Sequence, residues 1–195
     1  PGNFRVEGDY SQAAFWMAAG VLGRGMDCLD LAADSAQGDR AIVDFIREMG
    51  GDIESVDGGF RVRPSALKGI TMDVSQCPDL VPILTVMAAL AQGETHIVNA
   101  GRLRLKESDR LAAMADVLGT LGADITEEPE GLTVRGVPEL TGGQVDSYND
   151  HRVAMAVAVA TMACRGPVVL ERPDCVRKSY PDFWRDFEKM GGNIQ

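Results

Sequence analysis

The spacing of apolar and polar positions changes period in a fixed order along the chain. Leu111, Met114, Leu118 and Leu121 recur at helical spacing and predict an amphipathic helix. Residues 71–74, 95–98 and 167–170 are short β-rich runs and read as strands. Between them lie stretches that are apolar on nearly every side, such as residues 80–91, and a helix of that kind belongs in the middle of a domain. These stretches open on an Asp and end near a Gly (Gly25, Gly93, Gly166). Residues 52–56 and 60–63, turning at Gly58-Gly59, predict a hairpin, and residues 124–127 with 132–135 predict a second.

Whole phrases recur as well. Met49-Gly50-Gly51-Asp52-Ile53, Leu121-Gly122-Ala123-Asp124-Ile125 and Met190-Gly191-Gly192-Asn193-Ile194 start 72 and then 69 residues apart. Asp9, Asp79 and Asp150 each precede an Ala-rich apolar stretch, at spacings of 70 and 71. Repetition at a fixed period marks copies of one supersecondary unit. The unit reads βαβαββ, three times over, at about residues 1–68, 69–139 and 140–195. The expected fold is α/β (α+β), one domain of three repeats around buried helices. The third copy runs out where its hairpin is due, and a sheet short of strands leaves backbone groups unpaired. Another part of a longer chain is therefore expected to complete it. Opening on Pro1 and not Met fits a processed or excised piece.

Composition narrows the class. Of 195 residues, 45% are hydrophobic and 25% charged, the balance of a soluble globular protein. The longest apolar run, residues 153–164, is too short to cross a bilayer and no basic-then-apolar leader opens the chain, so no membrane is expected and the location is expected to be cytoplasmic. Cys28, Cys77, Cys164 and Cys175 form no CxxC pair, and only His96 and His151 could join them. Buried unpaired thiols and no metal or other cofactor are expected. A formal charge of −10 argues against nucleic-acid binding.

Against that acidic background, cations gather where helices begin. Lys106-Glu107-Ser108-Asp109-Arg110, Asn149-Asp150-His151-Arg152 and Arg177-Lys178-Ser179-Tyr180-Pro181-Asp182 each precede or open a predicted helix, and so does Pro78-Asp79. A helix N-terminus attracts anions, and a Lys or Arg placed there opposes the dipole unless an anion is present. A phosphate or carboxylate ligand is the simplest implication. Each residue also has a plainer role. Asp79, repeated at Asp9 and Asp150, reads first as an N-cap. Ser108, Asp109, Asn149 and Ser179 also suit caps, Glu107 and Arg110 a surface helical pair, and His151 a satisfied histidine at a helix start. Lys106 and Lys178 suit simple solvation. These residues alone support an anion-binding repeat domain.

Taken as motifs they say more. Gly8-Asp9-Tyr10-Ser11-Gln12-Ala13-Ala14-Phe15, Pro78-Asp79, the segment from Leu103 through Lys106-Glu107-Ser108-Asp109-Arg110 to Leu111, Asn149-Asp150-His151-Arg152-Val153-Ala154-Met155 and Lys178-Ser179-Tyr180-Pro181-Asp182-Phe183 occur in order along the chain. In this the sequence resembles the EPSP synthase (3-phosphoshikimate 1-carboxyvinyltransferase) family over essentially its whole length. The resemblance implies one domain of the two-domain enolpyruvyl transferase fold, an inside-out α/β barrel, with this chain as the C-terminal portion and an N-terminal domain as its partner. It implies transfer of the enolpyruvyl group of phosphoenolpyruvate to the 5-hydroxyl of shikimate 3-phosphate, without a cofactor, and an inactive piece when this chain stands alone. Residue by residue, it implies that Asp79 and Glu107 handle protons, Asp79 at the shikimate hydroxyl and Glu107 near the enolpyruvyl methylene. Lys106 is implied at the shikimate phosphate ester. Arg110, Arg152 and Lys178 are implied at the carboxylate and phosphate of phosphoenolpyruvate, with His151 in support. Arg102 stands where some relatives place an asparagine that helps hold shikimate 3-phosphate, and no role is carried over to it. The UDP-N-acetylglucosamine enolpyruvyl transferases share the fold and are the nearest alternative; a non-catalytic anion-binding domain is the alternative of another class.

Overall fold

The computed structural model describes residues 5–195. The chain begins with α1 (Tyr10–Leu22), β1 (Met26–Leu29), α2 (Ala41–Glu48), β2 (Asp52–Val56) and β3 (Gly59–Arg63). It continues with β4 (Thr71–Asp73), α3 (Val81–Ala89), β5 (Glu94–Val98), α4 (Arg110–Thr120), β6 (Asp124–Glu128) and β7 (Gly131–Arg135). Last come β8 (Gly143–Asp146), α5 (His151–Ala160), β9 (Val168–Glu171) and α6 (Phe183–Lys189).

The helices that are apolar all round lie where that composition requires. Every residue of α3 and of α5 is buried, and α1, α3 and α5 pack against one another. The hydroxyl of Thr85, the polar side chain of α3, is satisfied by donating to the Val81 carbonyl at 2.7 Å. Around this centre, α4 buries Leu111, Met114, Val117 and Leu118 on one face while α2 buries Ile42, Val43 and Ile46. Each such side chain contributes about 1.5–3 kcal/mol by leaving water.

Among the described residues, three sheets pack around the helices. Their strand orders are β1-β3-β2, β4-β5-β7-β6 and β8-β9. The hairpins β2–β3 and β6–β7 are antiparallel, whereas β4 with β5 and β8 with β9 are parallel. The first hairpin turns at Asp57 and Gly58, with Gly58 at φ 75°, so the expected turn is shifted by one residue and Gly59 already belongs to β3. Gly131 has a different reason: a Cβ there would lie 1.9 Å from the Ile97 carbonyl oxygen of the neighbouring strand.

Two expectations need adjustment. The expected helix at residues 80–91 starts as a 3₁₀ turn at Pro78–Leu80 and is α-helical only from Val81 to Ala89. The opening strand expected of the first unit falls partly on residues 1–4, outside the described residues, and residues 5–9 carry no strand. Cys28 and Cys77 are buried, but Cys164 and Cys175 are half-buried, and all four are free. Among the described residues no helix is long and apolar enough to cross a membrane.

Candidate functional site

Strand direction decides where the site lies. The parallel strands β4 and β5 run out into the segments carrying Asp79 and Lys106-Glu107; β8 and β9 run out into those carrying Asp150-His151-Arg152 and Lys178. Loops at the carboxyl ends of parallel strands are the usual place for ligands in α/β folds. Three of these segments meet at Arg110, and Lys178 joins them through Glu107.

Arg110 is only 1% exposed and engages three carboxylates. Its Nε donates to Asp150 Oδ2 at 2.7 Å, Nη1 to Asp79 Oδ1 at 2.8 Å, and Nη2 to Glu107 Oε2 at 2.7 Å and Asp150 Oδ1 at 3.3 Å. Lys106 Nζ lies 3.1 Å from Asp79 Oδ1 and Arg152 Nη2 3.3 Å from Asp79 Oδ2. Lys178 Nζ donates to Glu107 Oε1 at 2.7 Å. Four cations thus face three carboxylates in a chain whose formal charge is −10.

The cationic helix starts are therefore not bare; their positive charge is largely met by Asp79, Glu107 and Asp150. Nor is Asp79 an N-cap. Asp9 and Asp150 adopt extended backbone before α1 and α5 and accept from Ser11 N–H and Arg152 N–H. Asp79 sits inside the 3₁₀ turn, caps nothing with its side chain, and accepts from Lys106, Arg110 and Arg152. Glu107 precedes the cap Asp109 of α4, so its bond to Arg110 is not a surface pair within a helix.

These surroundings set the ionisation. Burial pushes the Asp79 carboxyl up, but Arg152, Lys106 and Arg110 outweigh it and hold the group below its ordinary range. The hydrogen bond from Lys178 is the largest influence on Glu107, which is held down at about 2. Burial, and then the neighbouring Arg152, push His151 down, so its imidazole is neutral near pH 7. His151 Nδ1 is buried without a hydrogen-bond partner, unlike the satisfied histidine its place at a helix start suggested.

A polar cavity of about 290 Å³ opens beside Asp79, bounded by Ser11, Gln37, Asp39 and Gln76. Ser11 Oγ donates to Asp39 at 2.5 Å, yet burial raises the Asp39 carboxyl. Arg102 is exposed. The residue that reading by motif undervalued is Asp150. One of its oxygens caps α5, and both engage Arg110. The repeated Asp made the cap legible, whereas the second bond is made across 40 residues of sequence.

The fold and the charge cluster together define an α/β protein with four cations and three carboxylates gathered at the ends of parallel strands. The sequence model of "EPSP synthase (3-phosphoshikimate 1-carboxyvinyltransferase)" matches residues 1–187, and the chain belongs to that family. A 3-phosphoshikimate 1-carboxyvinyltransferase of Clostridium novyi is 52% identical over 192 residues, 98% of this chain and 44% of the relative. One of Clostridium acetobutylicum is 51% identical, covering 98% and 44%. A solved structure of EPSP synthase from Acinetobacter baumannii superposes with a TM-score of 0.85 at 30% identity, over 96% of this chain and 46% of that one. The fold is that of EPSP synthase. The chain spans less than half the length of these relatives.

Proposed function

We propose that the protein carrying this chain transfers the enolpyruvyl group of phosphoenolpyruvate to the 5-hydroxyl of shikimate 3-phosphate, releasing phosphate, in the cytoplasm. In this reading the chain is one domain of three repeats, at about residues 1–68, 69–139 and 140–195. It works with a further domain, and it has no turnover alone. The observation that carries the proposal is the convergence of Asp79, Lys106, Glu107, Arg110, Arg152 and Lys178 at the strand ends, inside a chain of this family.

In the reaction the 5-hydroxyl oxygen bonds to C2 of phosphoenolpyruvate and loses its proton, while C3 gains one. The product of that step is a tetrahedral ketal phosphate. Breaking the C2–O bond to phosphate, with loss of a proton from C3, restores the double bond. One group must take a proton and another must give one, so two carboxylates in unlike surroundings suit the task. Asp79, held as a carboxylate by three cations, is placed at the hydroxyl; Glu107 serves C3.

Glu107 can give a proton only if its neighbours change. Lys178 is 59% exposed and bonded to Glu107. An arriving phosphoenolpyruvate would compete for Lys178, removing the strongest influence that keeps Glu107 ionised. The same exchange would free Arg152 from Asp79 for the anion. Arg110 has little freedom: four of its five N–H groups face protein carboxylates, and one Nη1 hydrogen is left for an anion. Lys106 is placed at the shikimate phosphate, and His151 supports its neighbours as a neutral imidazole.

A coupled phosphate-release assay on the complete protein with both substrates tests the proposal. Release that requires both substrates is expected. Release from phosphoenolpyruvate with UDP-N-acetylglucosamine as acceptor, and none with shikimate 3-phosphate, would overturn it.

A further inference from the structure

Three strands end on a residue in the left-handed region: Asp30 follows β1 at φ 65°, Asn99 follows β5 at φ 60° and Arg172 follows β9 at φ 54°. Side chains disfavour that conformation, so each needs support from its surroundings. Each has it. Arg5 donates to Asp30 at 2.6 Å, Asn99 to Asp73 at 2.9 Å, and Arg172 through Nε to Asp146 at 2.8 Å.

The third copy carries a hydroxyl at a position where the second carries an apolar side chain. After β4 the chain leaves through Val74, whose N–H meets the Val98 carbonyl at 3.1 Å. After β8 the matching position is Ser147, which makes the same backbone bond to Glu171 at 3.3 Å. Ser147 is 0% exposed, so its hydroxyl occupies a place where the second copy carries a buried valine. That hydroxyl donates to the Arg172 carbonyl at 3.0 Å and accepts from the Asn149 N–H at 3.1 Å and Cys175 Sγ at 3.5 Å. Its one hydrogen and both lone pairs are engaged. Tyr148 and Asn149, the next two residues, are themselves left-handed at φ 55° and 56°. Tyr148 Oη secures the turn by donating to Asp116 at 2.8 Å.

Ser147 therefore ties the turn that leads into Asp150 and Arg152 to the turn that leads into the 3₁₀ helix ending at Lys178. We propose that Ser147 is a positioning residue that fixes Lys178 relative to Arg152; this rests on the anion-binding role given to those two above. Its buried side chain acts through its neighbours. Its effect is confined to the geometry of two cations that must meet one small anion together, and small displacements matter strongly there.

The test uses the complete protein with Ser147→Ala, Lys178→Ala and the double variant. Ser147→Ala is expected to raise the KM for phosphoenolpyruvate about tenfold, the worth of one lost hydrogen bond. The KM for shikimate 3-phosphate should stay within about twofold, and in the Lys178→Ala background Ser147→Ala should add no more than about twofold, because it acts through Lys178. Should Ser147→Ala not fold, Ser147→Cys, a slightly larger side chain with a weaker donor, is measured in its place. A lower melting temperature with unchanged KM, or the same increase with and without Lys178, would overturn the proposal. If Lys178→Ala raises the KM and Ser147→Ala does not, only the positioning role fails. If Lys178→Ala itself changes nothing, the anion-binding reading fails and takes this proposal with it.

Discussion

Arg110 and Asp150 form an ion pair sealed from solvent, with Nε and Oδ2 2.7 Å apart and side chains 1% and 0% exposed. The planar guanidinium makes this arrangement possible, since one fork reaches Asp150, Asp79 and Glu107 at once. Lysine, a point charge on a flexible stem, cannot reproduce it.

Arg110→Ala should accordingly unfold the chain more readily, because it leaves the Asp150 carboxylate buried and unpaired. The expected loss is about 3–5 kcal/mol, seen as a fall in melting temperature on the order of 10 °C. Arg185→Ala breaks pairs to Asp182 and Asp186 whose first partner is as exposed as Arg185 itself, and should cost below about 1 kcal/mol. Similar losses for the two variants in thermal unfolding would mean that the buried cluster is not what stabilises this region.

Two of the three repeated aspartates, Asp9 and Asp79, should separate by measurement. Asp9→Ala removes a cap and should lower stability by about 1 kcal/mol. Asp79→Asn removes no cap but takes a charge away from Lys106, Arg110 and Arg152, so any fall in melting temperature comes from those pairs, while turnover of the complete protein should fall by at least about 100-fold, the scale of a lost acid–base group. Normal turnover in Asp79→Asn would remove it from the proton-handling role.

That difference shows where pattern reading works and where it stops. The apolar helices and both hairpins were legible because burial and β pairing impose periods of their own on the sequence. The same regularity misled at Asp79. Its place in the repeat matches Asp9 and Asp150, but the Pro78–Leu80 3₁₀ turn lifts it from the cap position towards Lys106, Arg110 and Arg152. The second role of Asp150 and the tie made by Ser147 were not legible, since both depend on partners 40 and 25 residues away. Left-handed Tyr148, Asn149 and Arg172 gave no glycine signal to mark their turns.

The pH dependence of stability should carry the signature of Glu107. Its carboxyl is held at about 2 in the folded protein against an ordinary 4.5. A lowered acid pKa means that the stabilising charge is fully present above about 4.5 and is lost as the pH falls towards about 2. Glu107→Gln lacks that charge throughout. The gap in melting temperature between the native chain and Glu107→Gln should be widest above pH 4.5 and close across that window. A constant gap would show that Lys178 and Arg110 do not hold Glu107 as described.

Ligand binding should divide the cations by role. Lys178 and Arg152 are assigned to phosphoenolpyruvate, and a hydrogen bond to a charged group is worth about 1.5–3 kcal/mol. Lys178→Ala and Arg152→Ala in the complete protein should therefore weaken phosphoenolpyruvate by about 10- to 150-fold. Shikimate 3-phosphate should be affected far less, whereas Lys106→Ala should show the reverse preference. Lys178→Ala should have a second effect. Without Lys178 the carboxyl of Glu107 loses the strongest influence holding it down, so its titration should shift upward from about 2. Carbon-detected NMR titration of the labelled side chain reads that shift directly. Equal weakening of both substrates in calorimetric titrations, together with an unmoved Glu107, would dissolve the link between the cation that binds and the carboxylate that transfers the proton.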